Sequence, residues 1–293
     1  MNKVAYYLIL PFIYGVAFLP FSLLYVVSDF LRFVLFQGIG YRKKVVLENL
    51  KNAFPQKTEP EIQTIANKFY IYFCDLVVES LKTLTITSKD LKQHVSFQDL
   101  SLFERYYKQK QSIIVVMGHY GNWELCGARF ALENLHQLFI IYHPLSNKYF
   151  NQLAYRMRTR LGNGLYSMQE TLRGMIKNKD KCTATAFIAD QSPAPETAYW
   201  TNFLSQDTPF FTGMAKIAKK MNYPVVYVRI RREKRGKYHV ESELLIENPS
   251  TISENDITEL YVKRLEKDIT KQPEIWLWTH RRWKHKRNQS IHS

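Results

Sequence analysis

From Ala5 to Ser28 the chain reads AYYLILPFIYGVAFLPFSLLYVVS, with no charged residue. As a helix, a run of that length crosses a hydrocarbon core of about 30 Å. It is too long for the apolar region of a signal peptide, and no small-residue cleavage site follows it. Pro11 and Pro20 kink or interrupt a helix. An in-plane or re-entrant anchor therefore stands beside a full span, with a buried core helix as the third reading. Residues 42–110 carry a helical period. Val46, Leu47, Leu50 and Phe54 fall on one face before the breaker Pro55, and Glu59 to Thr85 continues the pattern. From about residue 112 the period changes. SIIVVM (112–117), FIIYH (139–143), ATAFIA (184–189) and VVYVRI (225–230) are short apolar runs without polar alternation, the pattern of buried parallel strands. Helical patterns lie between them at Trp123 to Leu135, Tyr149 to Leu161, Glu170 to Lys177 and Thr212 to Met221. This alternation predicts an α/β fold with a mostly parallel central sheet flanked by helices. It divides the chain into an N-terminal membrane anchor over 1–40 and one domain over 41–293, helical over 41–110 and α/β over 111–293.

Charge adds an orientation and a class of partner. Lys3 precedes the uncharged run, whereas Arg32, Arg42, Lys43 and Lys44 follow it, which places the rest of the chain in the cytoplasm. The net charge of +15 calls for an anionic partner without naming it. The basic residues are scattered over separate elements and form no nucleic-acid module. Two clusters stand out. RIRREKRGK (229–237) reads as a strand end and hairpin turn, and THRRWKHKR (279–287) lies near three tryptophans, Trp276, Trp278 and Trp283. The second suits an anionic membrane surface; either suits an acidic carrier protein or is a solvated surface. The three cysteines, 74, 126 and 182, form no CxxC and fit free thiols in a reducing compartment.

The chemistry concentrates in IIVVMGHYGNWELCG. The strand ends near Met117, and Gly118 and Gly121 permit a tight loop. Asn122 is placed as a helix N-cap, with Trp123 and Glu124 in the first turn. His119 then stands at the carboxyl end of a strand, where open α/β sheets bind ligands. Glu124 is one short turn away. A neutral imidazole takes a proton from an attacking hydroxyl, typically worth about 10²–10⁴-fold, and a carboxylate on the far ring nitrogen fixes its tautomer. His119 as general base and Glu124 as its partner form the candidate catalytic pair. A lone His-x4-Glu is equally a turn histidine beside a helix-capping glutamate. No HExxH or clustered His/Cys set accompanies it, so no metal site is expected.

The surroundings of the pair decide the class. GHYGNWE resembles the signature of the bacterial lipid A biosynthesis (lauroyl/myristoyl) acyltransferase family. YRKKVVLENLKNAFP (41–55), IIYHPLSNKYFNQLAYRMRTRLG (140–162), IADQSP (188–193), TPFFTGMAKIAKKMNYPVV (208–226) and PEIWLWTHRRWKHK (273–286) resemble its other motifs, in order and across nearly the whole chain. The resemblance implies a glycerophosphate-acyltransferase-like fold, an acyl-carrier-protein thioester as co-substrate with no other cofactor, and a membrane-bound lipid A precursor as acceptor. Localisation would be the inner membrane, at an anionic surface, with the catalytic domain in the cytoplasm. It maps the dyad onto His119 and Glu124. It marks Arg156, Arg158 and Arg160 as an arginine-rich helix and Asp190 with Gln191 as the Asp-Gln pair; with Asn122 these are the candidate substrate-binding residues. The family commonly has Arg before the Pro of the middle motif, where this chain has His143. An acyltransferase acting on another membrane lipid, such as an ornithine or glycine aminolipid, shares the mechanism and differs only in acceptor.

Spacing separates some of these candidates. Arg156 and Arg160 share a helix face and Arg158 does not, so a common role is not expected. Guanidinium forks suit phosphate recognition; a solvated basic face is the alternative. Asp190 and Gln191 close the strand 184–189, on the same rim as His119, as site residues or as an ordinary turn before Pro193. The aromatic stretch 199–211 fits core packing or the wall of an acyl tunnel.

Overall fold

Pro20 divides the apolar N-terminus. In the computed structural model, which describes residues 3–287, the chain opens with α1 (Lys3–Phe18) and α2 (Phe21–Arg32), followed by a π-helical turn over Phe33–Gly38. Pro11 is accommodated inside α1, whereas Pro20, with extended backbone, caps α2. The expected single run over 5–28 is therefore two helices. The stretch long and apolar enough to cross a membrane is Phe21–Gly38, of which only 11% is buried. Residues 1–2 and 288–293, at the outer ends of the two expected segments, lie outside the described residues.

Both helices rest on the helical layer that follows, α3 (Lys43–Ala53) and α4 (Glu59–Lys82). A reciprocal Thr58–Glu61 capping box with Pro60 in the first turn starts α4 where the period begins. Leu24 and Ser28 of α2 face inward, while Leu23, Val26, Phe30 and Phe33 are exposed, as are Val4, Leu8 and Phe12 of α1. Then come α5 (Ser88–His94), β1 (Val95–Phe97) and α6 (Ser101–Lys108). The segment expected to be wholly helical thus contains one short strand, which pairs with the distant strand over Lys237–Ile246, a partner no local pattern announces.

The α/β part runs β2 (Ile113–Met117), α7 (Trp123–Phe130), β3 (Gln137–Tyr142), α8 (Lys148–Thr159), β4 (Gly164–Ser167), α9 (Thr171–Lys177) and β5 (Thr183–Ile188). It continues through a hairpin of β6 (Tyr199–Phe203) and β7 (Gln206–Phe210), then α10 (Gly213–Met221), β8 (Val225–Lys234), β9 (Lys237–Ile246) and α11 (Glu254–Lys271). The central sheet has the order β1-β9-β8-β2-β5-β3-β4, parallel throughout except for the β8–β9 hairpin. Alternate side chains supply two cores. Val115, Leu138, Ala186 and Val228 pack with Leu125, Cys126 and Phe130 of α7. Ile114, Val116, Phe139 and Tyr227 pack with Met175 of α9, Met214 of α10 and Leu265 of α11. β2 thus leads to a helix on one face, and β5 leads by way of the β6–β7 hairpin to α10 on the other. Between their adjacent carboxyl ends lies a topological switch point, the place where such sheets open a ligand crevice.

The two basic clusters are not free surfaces. The first forms the β8–β9 hairpin, as its pattern predicts, but Arg232 and Arg235 both pair with Asp75, a fully buried residue of α4. Arg229 pairs with Glu241 and Asp268. The hairpin lies over acidic side chains, which offset part of its charge. In the second cluster Arg282 is buried and donates to the Pro209 carbonyl, while Trp276 and Trp278 lie in the core, so neither tryptophan faces a membrane. Trp283 is partly buried and donates to Thr208 Oγ1. Arg281, Lys284, Lys286 and Arg287 stay exposed.

Candidate active site

Met117 and Ile188 are paired across β2 and β5, and each strand is followed two residues later by a polar side chain. That register sets His119 beside Asp190. The imidazole Nδ1 lies 2.6 Å from Asp190 Oδ1, and the His119 amide donates to Asp190 Oδ2 at 2.8 Å. Trp276 Nε1 donates to the same Oδ2 at 2.7 Å. Burial alone raises the pKa of Asp190, which is 2% exposed. The adjacent imidazole and the hydrogen bonds from His119 and Trp276 outweigh it and hold the carboxyl down at about 2. An ionised carboxylate only accepts, so Nδ1 carries a proton, and in the neutral imidazole the lone pair is on Nε2. Gln191 Nε2 stands 3.3 Å from that nitrogen.

The loop is held from behind. A Cβ on Gly118 would come within 3.0 Å of Asp190 Oδ2 and 2.7 Å of Leu265, so glycine is what lets the carboxylate reach the His119 amide. Gly121 takes φ +68, and a Cβ there would meet Ile230 at 2.4 Å. Tyr72 and Tyr261 donate to the carbonyls of Gly121 and Met117. The Leu277 amide donates to the His119 carbonyl and the Gly121 amide to the Ile275 carbonyl. Trp123 meets the imidazole edge to face at 5.0 Å.

The carboxylate on His119 is therefore Asp190, and the expected His119–Glu124 pairing is corrected. Glu124 sits in the first turn of α7, where it takes a two-pronged contact from Arg158 of α8: Nε lies 3.1 and 3.2 Å from its two oxygens and Nη2 lies 2.6 Å from Oε1. A planar guanidinium beside it satisfies this carboxylate better than one imidazole edge. Both residues line the cavity described below. Arg156 and Arg160, which spacing sets on one face, have no common role either. Arg156 is exposed. Arg160 donates to the carbonyls of Thr83 and Ile86 and closes the turn after α4. Asn122 caps α7 by accepting from the Leu125 amide, and its side-chain NH₂ donates to buried Glu79. It is buried and holds the loop from behind rather than from the substrate side. His143 lines the cavity mouth, its Nδ1 3.0 Å from the Pro144 carbonyl.

A cavity of about 610 Å³ opens at His119 and Gln191 and is walled mainly by apolar side chains, among them Val115, Met117, Phe130, Ile140 and Phe187. From the aromatic stretch, Phe211 lines it, while Phe203 and Phe210 belong to the core. Among the described residues no group of three or more His, Cys, Asp and Glu side chains is placed to hold a metal ion. Trp276 is the contributor that local pattern does not reveal. It lies 86 residues from Asp190 in the chain, and tryptophans beside basic residues read as an interfacial belt until the fold buries them.

Residues 1–285 match the family model of bacterial lipid A biosynthesis acyltransferases. The chain belongs to that family. Among individual relatives, the lipid A biosynthesis palmitoleoyltransferase of Escherichia coli (strain K12) is 23% identical over 246 residues, covering 83% of this chain and 79% of the relative. The lipid A biosynthesis lauroyltransferase of the same organism is 22% identical, covering 91% and 87%. A lipid A biosynthesis acyltransferase of Haemophilus influenzae is 26% identical, covering 84% and 79%. This lipid A acyltransferase family member places an imidazole–carboxylate pair beside an apolar cavity, an arrangement suited to acyl transfer.

Proposed function

We propose that the protein transfers a fatty acyl group from an acyl-carrier-protein thioester to a hydroxyl of a lipid A precursor, as a late secondary acylation, at the cytoplasmic face of the inner membrane. His119 is the general base and Asp190 its orienting carboxylate. The acceptor hydroxyl gives its proton to Nε2 as its oxygen attacks the thioester carbonyl, and the C–O bond forms. The tetrahedral adduct collapses with loss of the C–S bond, and the departing thiolate takes the proton back from the imidazolium. Asp190 stabilises the imidazolium between these steps. No nucleophile of the enzyme is acylated.

The observation that carries this reading is His119 Nε2, freed by the Asp190 contact at Nδ1, at the entrance of an apolar cavity. The exposed apolar faces of α1 and α2 support an enzyme that meets its acceptor at a membrane surface. The net charge of +15 supports an acidic carrier protein and an anionic surface as partners. Mass spectrometry of lipids from a strain lacking the protein tests the acceptor. A lipid A missing one secondary acyl chain is the expected result. Intact lipid A with a missing acyl group on an ornithine or glycine lipid would reassign the acceptor.

A further inference from the structure

Glu79 of α4 is fully buried and does not line the cavity, yet three other elements place a donor on it. Tyr25 of α2 donates to Oε1 at 2.9 Å. The Asn122 side-chain NH₂ donates to Oε2 at 2.7 Å, and Tyr238 of β9 donates to the same oxygen at 2.7 Å. Among the described residues Oε1 has no donor but Tyr25. A buried carboxylate persists only where hydrogen bonds replace its water, so the group depends on these donors and fixes them in turn. Asn122 is held at both ends of its amide. Its Oδ1 accepts from the Leu125 amide at 3.0 Å, which turns the NH₂ toward α4. Tyr72, on the same face of α4 as Glu79, donates to the Gly121 carbonyl at 2.7 Å. This face of α4 therefore holds two successive residues of the loop that carries His119, and its carboxylate holds α2 as well.

We propose that Glu79 is a positioning residue for acyl transfer: through Asn122 it sets the loop that aims His119, and through Tyr25 it makes that setting depend on the seat of α2. The inference rests on the acyl-transfer reading and adds to it a link from the apolar N-terminal helix to the site. Helix capping alone does not account for Asn122. Serine caps a helix as well, but only a side chain with both a carbonyl and an NH₂ serves Leu125 and Glu79 together. Loss of the Tyr25 hydroxyl would leave Oε1 buried without a donor. The carboxylate would then turn toward its remaining donors and carry Asn122 with it. A displacement of a reacting group by about 1 Å costs on the order of 10²-fold in rate, so a fraction of that shift is enough to be read in kcat.

Full-length variants are assayed with a carrier-protein thioester and a lipid A precursor, each at a temperature well below its own thermal midpoint. Asn122→Ser keeps the cap and gives up the contact to Glu79. Its kcat should fall about tenfold, with both KM values unchanged, because neither Asn122 nor Glu79 lines the cavity. Tyr25→Phe should lower kcat about threefold by itself and add nothing to Asn122→Ser, since both act through one carboxylate. Glu79→Gln combined with Asn122→Asp exchanges donor and acceptor while keeping the cap and the total charge. That pair should return kcat to within about threefold of wild type. Wild-type kcat in Asn122→Ser or in Tyr25→Phe, additive losses in their combination, or losses carried by KM overturn the proposal. So does a folded exchanged pair no faster than Asn122→Ser. Failure of the wild-type protein to acylate any hydroxyl lipid instead overturns the acyl-transfer reading beneath it.

Discussion

Nδ1 of His119 meets a carboxylate held by three further constraints: the His119 amide, the Trp276 indole and the closeness of Gly118. In the proposed mechanism Asp190 both selects the tautomer and stabilises the charge the imidazole acquires. Asp190→Asn can present an N–H to Nδ1 and select the wrong tautomer. It should lower kcat by about 10² or more, as should His119→Ala, and the double variant should be little worse than either, because the two act as a unit. Additive losses in steady-state kinetics would separate their roles. Glu124 and Arg158 form a second unit at the cavity wall. Glu124→Ala and Arg158→Ala should each weaken activity, with a double-mutant coupling of about 0.5–3 kcal/mol. A coupling near zero would show that their contact has no part in transfer. His119 was legible from the chain because a strand, two glycines and a helix cap frame it locally. Its true partner was not, because 71 residues separate Asp190 from it, and only strand order brings the two ends together.

At the scale of elements, α2 is fastened to the domain by polar contacts beneath its apolar face. Tyr25 donates to Glu79 and Ser28 to Asp75, both carboxylates fully buried on α4. Burial raises the pKa of Glu79, with the charge of Asp75 adding to the effect, while hydrogen bonds from Tyr238, Asn122 and Tyr25 oppose it. A helix attached this way turns a polar face to the protein and leaves an apolar face exposed, the form an in-plane membrane anchor would take. Removing residues 1–30 should release the protein from membranes, as an apolar anchor implies. It should also remove the Tyr25 contact to Glu79 and the Ser28 contact to Asp75, at about 1.5–3 kcal/mol for each hydrogen bond lost to a charged acceptor. A lowered thermal midpoint for the truncated protein and, more mildly, for Tyr25→Phe checks this. Unchanged midpoints would make α2 a detachable tether. The uncharged run and its break at Pro20 were legible from the chain, but its polar underside depends on what α4 presents.

For the whole molecule, acid stability gathers around the same corner. Burial is the main cause of the low pKa of His280, at about 4, with Arg282 and His119 lowering it further against the attraction of Asp190. The unfolded value is about 6.5, so between those limits the unfolded chain binds more protons than the folded one. Stability should therefore fall as the pH drops from about 6.5 to about 4, and His280 adds nothing further below that. Asp190, folded at about 2 against about 3.9 unfolded, adds stability above pH 4 that is lost as the pH falls toward 2. Thermal midpoints across this range should show the upper slope removed in His280→Gln, with the lower one retained. A His280→Gln profile that superimposes on wild type would place the acid sensitivity elsewhere.

The amino-acid sequence determined by itself whatever depends on neighbours a few residues apart. The buried strands at 113–117 and 183–188, the helices between the strands, the capped loop carrying His119 and the separation of Arg158 from Arg156 all follow from local period, caps and glycines. Tertiary structure alone decided what depends on partners brought from far along the chain. It put Asp190 rather than Glu124 on the imidazole, turned a basic tryptophan segment into the wall behind the His119 loop, and drew Arg232 and Arg235 of the hairpin onto buried Asp75. The reason is physical: a charged side chain ends on whichever partner best repays its desolvation, and strand order, which no local pattern encodes, sets the partners within reach.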